Sequence, residues 1–113
     1  MSGRPEPSQP SNSLVLIASL AEAKPLRYTP SGIPAVDLEL QHGSEQPSLE
    51  AKRKVALIIK AVAFGALAER LVRQSIGSEW VFAGFLASAR SQPVPSRQLI
   101  FHIQDFQPVP NLS

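Results

Sequence analysis

The chain has 113 residues, 43% of them hydrophobic and 18% charged, with a formal net charge of +2 and a pI near 9.4. That suits one globular domain with a small core and a mild basic bias, compatible with a polyanionic partner. It holds no cysteine, which excludes disulfides, thiolate metal sites and cysteine nucleophiles. No apolar run approaches the roughly 18 residues of a membrane helix, and the N-terminus lacks the apolar segment of a secretion signal; a cytoplasmic location is the expectation.

Residues 1–12 carry Pro5, Pro7 and Pro10 among polar residues and are expected to be disordered. Ser13 to Glu22 is rich in Leu, Val and Ile and reads as a first strand, buried on much of both faces. Leu26-Arg27-Tyr28-Thr29-Pro30-Ser31-Gly32-Ile33-Pro34 follows. Its prolines exclude helix and central strand, and Ser31-Gly32 reads as a tight turn with Gly32 at positive φ. Ala35 to His42 alternates Val36, Leu38 and Leu40 against Asp37, Glu39 and Gln41, the pattern of a half-buried second strand. Gly43 to Ala51 reads as a polar loop, and Lys52-Arg53-Lys54 leads into a third strand over Val55 to Ala63.

Gly65 to Ile76 is the one helical pattern, with an apolar stripe of Leu67, Leu71 and Val72 and Gly77 as its C′ residue. Glu79 to Ala89 is a fourth strand interrupted by Gly84, a position that often marks a bulge. Ser91 to Ser96 is a loop holding Pro93 and Pro95, Gln98 to Phe106 a fifth strand, and 107–113 a tail expected to fray. The folded unit is thus expected over 13–106. The order β-β-β-α-β-β predicts an all-β OB-fold, a five-stranded Greek-key barrel with one helix between strands 3 and 4.

Catalytic chemistry finds little support. The two histidines, His42 and His102, sit on different strands, and no HExxH, GxSxG, phosphate loop or dinucleotide fingerprint is present. Asp37 and Glu39 share a strand face, which a solvated surface explains better than a metal site does. Binding finds more. OB barrels hold single-stranded nucleic acid or oligosaccharide on strands 2 and 3 and in the loops joining strands 1–2 and 4–5. Here these regions carry Lys24, Arg27 and Tyr28; Lys52, Arg53, Lys54 and Lys60; and Arg90 and Arg97. The cations can neutralise phosphates, and Tyr28 can stack on a base. Basic loops suit a sugar less well, since sugar sites favour exposed aromatics beside carboxylates or amides.

The segments Asn12 to Leu20, Leu26 to Pro34, Asp37 to His42 with Ser44, Gly84-Phe85-Leu86 and Leu99-Ile100-Phe101-His102 resemble the primosomal members of the bacterial single-stranded-DNA-binding protein family. The resemblance runs from about Asn12 to Phe106, and the Leu26–Pro34 run is its specific element. It implies a homodimer of OB-folds without catalytic activity or cofactor. It also implies binding to single-stranded DNA in replication restart, support of the PriA helicase and, in some bacteria, hand-over to DnaT. Carried over by position, Lys24, Arg27, Tyr28, Lys52, Arg53, Lys54, Arg90 and Arg97 form the DNA surface. Three departures stand out. Ala56, Leu57 and Ile58 occupy the neighbourhood where some members carry an aromatic ring on strand 3. Pro93 and Pro95 stand in a loop that is lysine-rich in others, and Gly43 where some have arginine. These departures favour an alternative in which the barrel mainly binds the helicase and holds DNA weakly. Trp80 is expected in the core.

Overall fold

The structure is a computed structural model and describes residues 9–110. The tail expectations for 1–8 and 111–113 lie outside the described residues. The elements are β1 (Leu14–Ala23), β2 (Arg27–Tyr28), β3 (Pro34–Pro47), β4 (Lys52–Phe64), α1 (Ala66–Leu71), β5 (Glu79–Ser88) and β6 (Leu99–Pro108).

β1 divides its pairing. Leu14 to Ser19 lie antiparallel to β5. Ser19 to Ala23 lie antiparallel to β3, with a bulge between Leu20 and Glu22. The remaining contacts, β3–β4, β4–β6 and β5–β6, complete a closed ring of five long strands, β1-β3-β4-β6-β5. Only the β4–β6 contact is parallel, and the chain between those strands passes through α1 and β5, as a parallel connection requires. This is the expected OB barrel. The short β2 adds to the edge of β3, pairing Arg27 with Ala35 and Tyr28 with Pro34. The turn between them is closed by Gly32 N–H to the Thr29 carbonyl at 2.8 Å. Gly32 has φ 86° there, a conformation that disfavours any side chain.

The core follows the period-2 alternation. Leu20, Val36, Leu38, Leu40, Phe82, Phe101, Ile103 and Phe106 point inward, and Ala68 and Leu71 of α1 close one end. Trp80 is half-buried against this cluster. Its ring meets Phe106 edge-on at 4.9 Å, and its indole N–H donates to Ser78 Oγ at 2.9 Å. No buried side-chain polar atom among the described residues lacks a partner.

Several elements differ from the sequence expectation. The segment Gly43–Pro47 is strand, not loop. It pairs with Lys52–Ala56 in unbroken register out to Pro47 opposite Lys52. Both faces of this ribbon are solvated, so it lacks the apolar alternation by which strands are recognised. Pairing of β3 with β1 ends at Gln41, and that of β4 with β6 begins at Lys60. The ribbon therefore projects beyond the barrel, and the molecule extends 49 × 38 × 30 Å.

The helix stops at Leu71 rather than Ile76. Beyond it, Arg73 and Gln74 N–H turn to carbonyls three residues back. Gly77 does not cap the helix. Its N–H donates to the Leu20 carbonyl at 2.7 Å, and Leu20 N–H donates to Ser78 O at 2.9 Å, so β1 draws the segment away from the helix axis. β1 is also not buried on both faces, since Val15 is 67% and Ile17 42% exposed in the single chain. Asn12, assigned to the tail, is fastened to β5: its side-chain amide donates to Leu86 O (2.8 Å) and its carbonyl accepts from Leu86 N–H (3.0 Å). The last strand runs on through Pro108, opposite Trp80, because this pairing extends the strand past Phe106.

Gly84 does mark a bulge. The β5–β6 register shifts between Ala83 and Gly84, and a Cβ on Gly84 would collide with the His102 backbone. Gly84→Ala is therefore expected to lower stability by about 1–3 kcal/mol through overpacking. Gly43→Ala, with Val55 O at 3.8 Å as its nearest neighbour, should shift stability by no more than about 1 kcal/mol. Urea denaturation of the two variants beside the parent checks the contrast.

Candidate nucleic-acid interface

The outer face of the β3–β4 hairpin follows from the register. Leu38 and Leu40 point into the barrel, so Asp37, Glu39 and Gln41 point out, and their neighbours on β4 do likewise. Along this face the pairs are Glu39 with Lys60, Gln41 with Ile58, Gly43 with Ala56, Glu45 with Lys54 and Pro47 with Lys52. Lys52, Lys54 and Lys60 thus form one row. At about 3.3 Å per residue, the row spans roughly 26 Å. Arg53 is separated from its neighbours. It alternates to the opposite face, across from Gln46. Where a ring was absent from the sequence, Ile58 lies 65% exposed in the middle of the row.

The loop after β5 leaves the barrel on the ribbon side of Lys60, since β6 runs parallel to β4. Ser88 pairs with Leu99 and Ile100 with Lys60, so the loop rises beside that lysine. Its base is tied by Ala89 N–H to Gln98 O (2.9 Å) and Ser96 N–H to Arg90 O (2.7 Å). Arg90 and Arg97 are both exposed.

The loop after β1 behaves differently. Arg27 is held by Asp37 through two parallel bonds, Nε to Oδ2 at 2.6 Å and Nη2 to Oδ1 at 3.0 Å. This is the one ion pair among the described residues. The two-pronged guanidinium bond holds the Asp37 carboxyl below its ordinary pKa, with Lys24 adding a smaller attraction, and raises that of Arg27. Tyr28, the next residue of β2, points to the opposite face of the sheet from Arg27 and is 63% exposed. Lys24 lines a depression of about 300 Å³ together with Glu22, Asp37, Glu39, Lys60 and Ile100. The barrel end of the face is therefore lined by three carboxylates and two lysines.

The proposed binding residues thus fall into three settings. Lys52 and Lys54 lie on the ribbon, Arg90 and Arg97 on the far loop, and Lys24 and Arg27 among carboxylates. The structure does not bring Arg53 or Tyr28 onto the same face. Sequence reading missed the role of Asp37. The turn Thr29–Ile33 carried the signal, since closing it opposes Arg27 to Ala35 and brings Asp37 alongside on the same face. His42 carries no chemistry but builds the root of the ribbon. Its Nδ1 lies 2.6 Å from the Ile17 carbonyl, an acceptor only, so Nδ1 holds the proton. Nε2 then accepts from Ser44 Oγ at 2.8 Å, and that hydroxyl accepts from Gln46 Nε2 at 2.9 Å. Among the described residues no group of three potential ligands is placed to hold a metal ion, and no helix is long and apolar enough to cross a membrane.

A closed five-strand barrel with a basic, partly apolar outer face defines an OB-fold of the single-strand-binding class. Residues 12–105 match the family described as "Another single-strand binding protein family". The replication restart protein PriB of Bordetella pertussis is 43% identical over 83 residues, 74% of this chain and 78% of that protein. The PriB of Neisseria meningitidis serogroup B is 36% identical over 98 residues, 85% and 96% of the two chains. The solved PriB of Ralstonia solanacearum superposes with a TM-score of 0.76 at 33% identity, covering 87% of this chain and 97% of its own. The chain belongs to the single-strand-binding protein family, in its replication restart PriB branch. Its function is accordingly non-enzymatic single-stranded-DNA binding in replication restart.

The Arg27–Asp37 pair makes a pH-dependent contribution to stability. Because the folded Asp37 pKa is depressed, the contribution is fully present above the ordinary value of 3.8. It is lost as pH falls below that value through the lowered one. Arg27→Ala is expected to be less stable than the parent by at most about 1 kcal/mol at neutral pH, both partners being exposed. The gap should close in acid. Denaturant melts of both proteins across acidic pH check this.

Proposed function

We propose that the row Lys52, Lys54 and Lys60, flanked on the ribbon side of Lys60 by the loop that carries Arg90 and Arg97, is the track on which this protein holds the phosphates of single-stranded DNA. The observation that carries the reading is the register of β3 and β4, which aligns these lysines on one exposed face. Ile58 and Ala56 between them offer an apolar floor for bases. Arg53 and Tyr28 contribute from the flanks, where a strand wraps over the ribbon or the first loop. With few rings to stack on, binding is chiefly electrostatic and falls steeply with salt.

The protein acts in the cytoplasm as a homodimer. From Leu14 to Ala18, β1 has a strand partner on one side only, and Val15 and Ile17 stand exposed beside that open edge. A second copy covering the edge satisfies its backbone groups and buries the two side chains. On the fork, the dimer helps the PriA helicase stay on DNA, and DnaT is the further partner to which the strand passes. A second reading, an adaptor that mainly contacts the helicase, is favoured by one observation: carboxylates line the barrel end of the face.

Fluorescence anisotropy of a labelled oligo-dT across a salt series separates the two. The parent should bind at low salt with a steep slope. Replacing Lys52, Arg53 and Lys54 together by alanine should reduce that slope by about 2, at roughly 0.7 per lost phosphate contact. An unchanged slope removes the ribbon from the site, and absence of binding by the parent leaves the adaptor reading. For the dimer, Val15→Asp is expected to halve the mass measured by light scattering, while a parent that is already monomeric overturns the assignment.

A further inference from the structure

We propose that Asp37 sets how tightly the face holds a single strand, by keeping Arg27 away from phosphate. The inference rests on the reading of this face as the DNA track. Arg27 belongs to the loop that borders the face, and its guanidinium is the group best shaped to take a phosphate on two oxygens. In the structure its Nε–Nη2 edge is spent on Asp37 instead, at 2.6 and 3.0 Å, which leaves only the Nη1 end for another partner. A carboxylate occupies the place a phosphate would take.

The surroundings reinforce the block. Asp37 shares its depression with Glu22 and Glu39 and with two lysines, Lys24 and Lys60. Lys60 is also directly opposite Glu39 across the hairpin. A phosphate approaching Arg27 must therefore displace one carboxylate and lie near two others. The lysines of the ribbon and the arginines of the far loop make no ion pair among the described residues. The face is thus basic toward the ribbon and restrained at its barrel end. Asp37 limits affinity and keeps the part of the strand over the barrel end loosely held.

The pair is exposed, at 49% for the Arg27 side chain and 40% for that of Asp37. Exchanging its partner is accordingly a modest effect, on the scale of a surface ion pair. Asp37→Asn should bind oligo-dT about threefold more tightly at low salt. Its salt slope should steepen by about 0.7, the increment of one added phosphate contact on a single strand. Arg27→Ala alone should bind like the parent, because Arg27 does not touch DNA while Asp37 holds it. In the Arg27→Ala, Asp37→Asn double variant the gain should vanish. Asp37→Glu, which keeps the charge, should stay near the parent.

The experiment is fluorescence anisotropy of labelled oligo-dT with the full chain and these four variants, across one salt series at neutral pH. A thermal melt of each variant confirms that it is folded. The proposal is overturned if Asp37→Asn binds no more tightly than a DNA-binding parent, or if its gain persists without Arg27. It is overturned equally if Arg27→Ala alone weakens binding, since Arg27 would then already be on the strand. If neither the parent nor Asp37→Asn binds at low salt, the DNA track itself fails, a result distinct from a parent that binds and a variant that matches it.

Discussion

The division of β1 between two partners is the constraint on which the molecule rests. One half of the strand belongs with β5 and the other with β3, and the bulge between Leu20 and Glu22 lets a single strand serve both. Without that switch the sheet has two edges and no interior. With it, Leu20, Leu40, Phe82 and Phe101 converge and exclude water almost completely. The same switch leaves one side of Leu14 to Ala18 open and fixes where the first loop emerges, beside the outer face of β3. Core, exposed edge and binding face all descend from one strand changing its neighbour.

Charge is distributed on this scaffold with a purpose that net charge conceals. An excess of +2 over the chain says little about where a polyanion settles. Strand alternation sorts the lysines of β4 onto one face, and the hairpin register sets carboxylates against some of them and polar or apolar residues against others. The outcome is a face with an excess of positive charge toward the ribbon and a balanced barrel end. Moderate hold has a kinetic effect, because a strand gripped along its whole length is slow to leave.

Much of this was legible in the sequence, and the rest was hidden for physical reasons. The alternation of Val36 to Gln41 gave the second strand and its buried side, since half-burial leaves a period of 2. The glycine within the fourth strand announced a bulge, because only a residue without Cβ allows the His102 backbone so near. The ribbon at Gly43 to Pro47 was invisible because neither of its faces is buried, so no apolar alternation marks it. The helix was overextended because Leu71, Val72 and Ile76 keep a helical spacing that tertiary bonds from Leu20 override. At the site, residue types showed where positive charge gathers. They did not show that Arg27 is already engaged, because that depends on the register of a short turn.

The projecting ribbon has a consequence for the dynamics of the protein. Beyond Gln41 and before Ile59 its backbone groups have one strand neighbour and few apolar contacts, anchored at the root by the His42–Ser44–Gln46 chain. Stability in a folded chain is distributed according to such contacts. The outer ribbon is therefore the first part to open and the barrel the last, so amide protons near the tip exchange with solvent well before those of Leu40 or Phe82. A nucleic acid held on Lys52 and Lys54, as proposed, would meet the part of the sheet with fewest anchoring contacts and lend it order. Part of the interaction free energy is then absorbed locally, and the bound strand slows exchange at positions it never touches.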